Sequence, residues 1–188
     1  EPEKFSKLTN RIKEAVDTMS NLIDEVLVLG KVSSGNIPYS PEDVNLEDFC
    51  KKLINEFSLI QPDGRVLELH TEGDAYNLSL DTKLLWHTLS NLISNAFKYS
   101  VGKENPKLTI RFKPTEVLIL VQDYGLGIPE EEQVKLFAPF FRANNVTDIK
   151  GSGLGLNIVK EYVMVNKGTI SAKSKLGEGC SFEVKFKR

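Results

Sequence analysis

Cysteine, histidine and long apolar runs are all scarce in this chain. Cys50 and Cys180 are the only cysteines in 188 residues, too few for a disulfide framework and without the spacing of a metal site. That usage fits a reducing compartment such as the cytosol. Only His70 and His87 are available for histidine chemistry, which excludes a histidine-rich zinc site. Neither sign of charge dominates: 24 Lys and Arg stand against 26 Asp and Glu. Without a cationic excess to neutralise phosphates along a duplex, nucleic acid is not an expected partner. The longest apolar runs, such as Val117 to Val121, are far too short to cross a bilayer. No signal-peptide pattern opens the sequence.

What is present begins with a strong periodicity. Phe5, Leu8, Ile12, Ala15, Met19, Leu22, Val26 and Leu29 recur at alternating spacings of three and four, an a/d seam, and Val16 and Ile23 widen the stripe. The pattern predicts a helix of ~43 Å at 1.5 Å per residue, stopped at Gly30, which reads as an arm. Residues 31–43 are rich in Ser, Gly, Pro and Asn and have no periodicity. They predict a linker between the arm (1–30) and a domain spanning 44–188.

Within that domain the sequence predicts a short strand at Val44 and a helix from Leu46 to Phe57 with Asn45 at its cap. A paired set of strands, Arg65 to Thr71 and Tyr76 to Leu80, is expected next. Asp81 then caps a long helix through Lys98. Strands at Lys107 to Lys113 and Glu116 to Asp123 follow, and Pro129 opens a short acidic helix at its first turn. After an irregular stretch to Ser152 come a helix from Leu154 to Val165 and strands at Thr169 to Ser174 and Ser181 to Lys187. Strands and helices in this irregular order predict an α+β sandwich of two layers, preceded by the long amphipathic helix, and no doubly wound parallel sheet.

Three local patterns carry chemistry. On the long helix, Asn91 and Asn95 are four apart and project from one face, with Leu85, Leu89, Leu92, Ile93 and Ala96 opposite. An Asn pair is ordinarily a solvated helix face. It can also offer a carbonyl oxygen to a hard cation such as Mg²⁺, with Lys98 nearby to meet phosphate charge. The second pattern, Asp123-Tyr-Gly125-Leu-Gly127-Ile-Pro129, follows an apolar strand. It is either a plain surface turn or a carboxylate placed to accept from an exocyclic amine such as adenine N6. The third is Gly151-Ser-Gly153-Leu154-Gly155-Leu at a helix start, where glycines let backbone N–H groups approach phosphate. It lacks the Lys-Ser/Thr ending of a P-loop.

Taken in order, these patterns resemble the N, G1 and G2 boxes of sensor histidine kinases, within the superfamily that includes gyrase and MutL. Phe137-Ala-Pro-Phe140-Phe141-Arg142 resembles the F box between them. The resemblance runs from about Val44 to the C-terminus and implies a Bergerat-type ATP site. In such a site Asn95 is the Mg²⁺ ligand with Asn91 beside it, and Asp123 meets adenine. Gly125, Gly127 and the run Gly151, Gly153, Leu154 and Gly155 edge the nucleotide and its lid, which corresponds to Pro129 through Ser152. Lys98 and Arg142 match positions that approach the phosphates, and Tyr99 one that lies against the nucleotide.

Hydrolysing branches of the superfamily carry a Glu four residues before the metal-binding Asn, where it serves as base. Here that position is Asn91, and an amide cannot take a proton. The expectation is therefore a protein histidine kinase domain that holds ATP for transfer. The rivals are a gyrase- or MutL-like ATPase switch and a non-catalytic nucleotide-binding module.

The arm resembles the second helix of the family's dimerisation and phosphotransfer bundle. The first helix, which carries the acceptor histidine, has no counterpart in these residues. His70 and His87 lack the acidic neighbour and nearby proline of an acceptor, so no catalytic acceptor or base is expected in this chain. The resemblance further implies a histidine-bearing bundle helix and a response-regulator receiver domain as partners, a homodimeric parent and a cytoplasmic location, with membrane anchoring of the parent left open. Cys180 stands where the family usually has Thr and reads as a small core residue.

Overall fold

The computed structural model describes residues 37–58, 61 and 63–188, together with scattered positions between Thr9 and Gly35. The chain divides into two compact units, Glu1–Ile37 and Pro38–Arg188. In the first, the described positions from Thr9 to Lys31 are helical. Ile12, Val16, Met19, Ile23 and Val26 are exposed there. Phe5, Leu8, Ala15, Leu22 and Leu29 of the expected seam lie outside the described residues. Gly30 does not stop the helix, because it and Lys31 are both helical. Gly35, at φ 68°, lies in the left-handed region that glycine adopts freely.

The second unit opens with β1 (Glu42–Val44), two residues inside the stretch read as linker, and α1 (Leu46–Ser58). Asn45 caps α1 by accepting from the Asp48 N–H at 3.1 Å. Leu46, Cys50 and Leu53 form its buried stripe. There follow β2 (Glu68–Glu72), β3 (Leu78–Leu80), α2 (Thr82–Tyr99), β4 (Lys107–Phe112), β5 (Glu116–Gln122), the short α3 (Glu130–Gln133), α4 (Gly155–Val165), β6 (Thr169–Lys175) and β7 (Gly179–Lys187). Pro129 sits at the N-cap of α3, one position before the first turn where it was expected.

Five strands form one sheet in the order β2-β4-β5-β7-β6, with β2 parallel to β4 and the other pairs antiparallel. Strand alternation sends Leu108, Ile110 and Phe112 from β4, and Phe182, Val184 and Phe186 from β7, into one core. Leu85, Leu89, Leu92 and Ile93 from α2 and Val159 and Val163 from α4 meet them there. This is the expected α+β sandwich of two layers.

The expected pairing of β2 with β3 does not occur: β3 lies antiparallel to β1 in a separate two-stranded sheet. The connection between them looks like a hairpin loop but is pinned across the end of β4. Tyr76 packs edge-on against Phe112 at 5.2 Å and donates its hydroxyl to the Lys113 carbonyl at 2.8 Å. Gly73, at φ 84°, passes so close to the Phe112 carbonyl that a Cβ would lie 2.3 Å from that oxygen. The chain is thereby carried off the sheet before β3 begins.

Asp81 starts α2 and also gathers distant segments. Its Oδ1 accepts from the N–H groups of Lys83 and Leu84, at 3.0 and 3.1 Å. Oδ2 accepts from Ser40 N–H at 2.8 Å. Its backbone exchanges two hydrogen bonds with the Asn166 side chain beyond α4. The helix that carries both asparagines is therefore anchored at its start to two other parts of the unit.

Candidate functional site

The outward face of α2, the loop after β5 and the start of α4 converge. Asn91 and Asn95 are half-buried, and the Asn95 amide donates to Asn91 Oδ1 at 3.0 Å. That bond engages the nitrogen of Asn95 and makes its Oδ1 the atom available to a hard cation. Asn91 is backed by α4: a Cβ at Gly155 would lie 2.5 Å from Asn91 Nδ2. Only glycine permits so close an approach. Lys98 Nζ lies 5.0 Å from the centre of the Tyr99 ring. A Cβ at Gly151 would sit 3.1 Å from that same nitrogen and 3.9 Å from the Tyr99 hydroxyl.

The loop after β5 closes the other side. Asp123 is buried, and its Oδ1 accepts from Gly125 N–H at 2.8 Å. Its own N–H donates to the Cys180 carbonyl at 2.9 Å. Burial pushes the Asp123 carboxyl above its ordinary value, opposed by backbone hydrogen bonding to the carboxyl from Gly125 and Cys180. Leu126 N–H donates to the Tyr99 carbonyl at 3.2 Å, and a Cβ at Gly125 would lie 2.1 Å from that carbonyl oxygen. Gly127, at φ 64°, presses against the Lys175 carbonyl and accepts from Asn145 Nδ2 at 2.8 Å. Thus Asn91, Asn95, Lys98, Tyr99, Asp123, Gly125, Gly127, Gly151 and Gly155 form one neighbourhood.

Three expected site residues, Leu154, Arg142 and Gly153, are placed differently. The Leu154 side chain is fully buried in the core and its N–H is taken by Ser152 Oγ at 3.1 Å. Arg142 directs its guanidinium inward to the segment 146–149, donating to the Val146 and Thr147 carbonyls at 2.7 and 3.3 Å and to that of Ile149. Its Nε is buried without a partner. In this conformation it caps the turn at 146–149. Gly153, at φ 78°, is packed under the backbone of Phe140 and Phe141.

Neither histidine faces an acid in an acceptor arrangement. His87 meets Trp86 edge-on at 5.1 Å and Tyr162 at a tilt at 5.8 Å, and desolvation holds it below the ordinary imidazole value. His70 lies exposed on β2, 3.7 Å from Glu68. Cys180 is a buried core residue whose thiol is pushed up to about 12 by burial, with the Asp123 charge acting in the same direction.

Supporting residues carried weaker signals or none. Ser174 accepts from Ile128 N–H at 2.9 Å and donates to the Gly179 carbonyl at 2.7 Å. Gln133 donates to the carbonyls of Ile128 and Ser174. Asn157, itself buried, holds the Phe137 carbonyl at 3.0 Å. Gly179 could have been suspected from its Gly-Glu-Gly setting; at φ 97° it packs on the Asp123 carbonyl.

Among the described residues, no group of three or more His, Cys, Asp or Glu side chains could hold a metal ion alone. A lone amide oxygen at Asn95 suits a hard ion whose remaining ligands come from phosphates and water, as Mg²⁺ prefers. The close-packed glycines leave backbone where side chains would otherwise fill the site. No described helix is long and apolar enough to cross a membrane.

A two-layer sandwich with an asparagine-bearing helix facing a buried Asp and two glycine loops defines a Bergerat-type ATP-binding domain. The chain belongs to the family of histidine kinase-, DNA gyrase B- and HSP90-like ATPases, whose model matches residues 80–188. The signal transduction histidine-protein kinase ArlS of Staphylococcus aureus is 28% identical over 192 aligned positions, covering 99% of this chain and 42% of ArlS. The chain thus spans less than half the length of that relative.

Among solved structures, the histidine kinase AdeS of Acinetobacter baumannii superposes with a TM-score of 0.73 at 23% identity, over 92% of this chain and 79% of AdeS. Full-length ShkA in complex with AMPPNP gives a TM-score of 0.81 at 22% identity, over 92% of this chain and 36% of ShkA. Both likenesses concern the fold.

Proposed function

We propose that this chain binds ATP together with Mg²⁺ and presents the γ-phosphoryl group to a histidine outside these 188 residues, as the catalytic domain of a two-component sensor kinase. The observation that carries the reading is Asn91, which donates no base to the site and instead accepts from Asn95 while packed on Gly155. With an amide in that position an attacking water is not deprotonated by this residue, so transfer to another nucleophile is favoured over hydrolysis.

Asp123 accepts from the adenine amine, and Gly125 and Gly127 keep the backbone open beside the base. Asn95 Oδ1 contributes the protein's ligand to Mg²⁺, and Lys98 with the backbone from Gly151 to Gly155 meets phosphate charge at the start of α4. Mg²⁺ held there neutralises charge on the phosphates, and the protein supplies mostly position and electrostatics. Arg142 reaches the phosphates only after leaving its carbonyls in 146–149. The arm supplies one helix of a dimeric bundle whose other helix bears the acceptor, and the phosphoryl group passes on to a receiver domain.

Incubation with γ-labelled ATP and Mg²⁺ tests the proposal. The chain alone should remain unlabelled and release little phosphate, yet transfer acid-labile label to a separately supplied histidine-bearing bundle from its own parent. Steady phosphate release by the chain alone, without transfer, would favour an ATPase switch of the gyrase type. Acid-labile phosphate on His70 or His87 would overturn the reading of the acceptor.

A further inference from the structure

The C-terminal end of α2 is held by a side chain far away in sequence. Arg65 is one-tenth exposed and reaches that end with its whole guanidinium. Nη2 donates to the Phe97 carbonyl at 2.9 Å. Nη1 donates to the Ser100 carbonyl at 2.8 Å and to Ser100 Oγ at 2.7 Å. Nε is fixed by Asp63 Oδ2 at 2.6 Å, and the guanidinium carbon lies 5.3 Å from the centre of the Phe97 ring.

The last carbonyls of a helix carry partial negative charge and have no partner within the helix. A planar cation spanning two of them locks the turn more firmly than a point charge could. The locked turn is the one that bears Lys98 and Tyr99. Its Tyr99 carbonyl receives the Leu126 N–H, so the adenine-side loop is registered on the same turn.

We infer that Arg65 is a positioning residue of the nucleotide site, setting the last turn of α2 so that Lys98 meets the phosphates while Leu126 and Gly125 hold the base edge. The inference rests on the nucleotide reading above. Arg65 itself touches no ligand in it, so its effect is transmitted entirely through the 97–100 turn.

The test compares Arg65→Ala, Arg65→Lys and, as a control for simple destabilisation, Tyr76→Ala at the opposite end of β4. ADP affinity is measured by calorimetry well below each variant's unfolding temperature. Arg65→Ala should bind ADP about tenfold more weakly, the scale of losing a charge-assisted interaction, and Arg65→Lys should fall between. Amide exchange at Leu126 should accelerate in Arg65→Ala and not in Tyr76→Ala. Combining Arg65→Ala with Lys98→Ala should lose less affinity than the sum of the two, because both act through one turn.

Unchanged ADP affinity in folded Arg65→Ala and Arg65→Lys, against a wild type that binds, would overturn the inference alone. So would affinity that drops equally in Tyr76→Ala at a matched loss of unfolding temperature. A wild type that fails to bind ADP would overturn the nucleotide reading and this inference together.

Discussion

Asn95 donates its side-chain amide to Asn91 across one turn of α2, at 3.0 Å. The bond orients Asn95 so that oxygen, and not nitrogen, is its outward-acting atom, and it leaves Asn91 as a brace. If Asn95 holds Mg²⁺ as proposed, Asn95→Ala should weaken ATP binding by about tenfold or more in Mg²⁺ and much less in EDTA, because the contact removed would be to the metal. Titration calorimetry in the two conditions decides this. Equal losses in both would point to a packing defect.

Asp123 gives a prediction with a sign in pH. Burial is the first cause of its raised carboxyl pKa. In the window above the ordinary carboxylate value the folded protein holds a proton that the unfolded chain releases, so this group's contribution to stability is lost as pH rises through the raised value. Asp123→Asn keeps an acceptor for the Gly125 N–H and removes the buried charge. The ligand-free variant should unfold at a higher temperature than wild type at neutral pH, with the gap closing in acid. Its ADP affinity should nevertheless fall roughly ten- to a hundred-and-fifty-fold, the loss of a charge-assisted bond of about 1.5–3 kcal/mol. A folded variant with unchanged affinity would remove Asp123 from the site.

Gly127 joins the loop after β5 to the β6–β7 turn. It has φ 64°, and a Cβ there would lie 2.0 Å from the Lys175 carbonyl oxygen. The left-handed conformation alone costs a residue with a side chain about 1–2 kcal/mol, and the backbone contact adds to that. Gly127→Ala should lower the unfolding temperature measurably and weaken ADP binding with it. Retention of both values would mean that the loop relaxes freely and does not shape the pocket.

The arm predicts self-association. Ile12, Met19 and Val26 are exposed on its helical positions, and each apolar side chain left in water forfeits roughly 1.5–3 kcal/mol of possible burial. Pairing with the same stripe on a second copy needs only one self-complementary surface. Sedimentation should show concentration-dependent association, abolished by changing Ile12, Met19 and Val26 to Lys, with ADP affinity unaffected. A wild type that remains monomeric at high concentration would refute pairing through this stripe.

Local features of the chain were legible in its sequence because their physics acts over a few residues. Asn45 and Asp81 could be read as caps because a short side chain bonds the N–H groups two or three positions on. The core face of α2 followed from helical periodicity, and the Asp123 and Gly151–Gly155 patterns followed from their places at element ends. The kinase resemblance, resting on the order of those patterns, pointed to the ATPase family and to its sandwich.

What the tertiary structure alone decided was every contact between segments far apart in the chain. Parallel pairing of β2 with β4 was hidden because strand patterns do not name their partners, and Tyr76, bonded 37 residues away, diverts β3 from β2. Arg142 was read as reaching toward phosphate, yet its guanidinium is taken up by nearby carbonyls. The grip of Arg65 on the end of α2 spans 32 to 35 residues and leaves no periodicity or spacing behind it. Local bonding is written in adjacent residues, whereas these partners are chosen by how the whole chain packs.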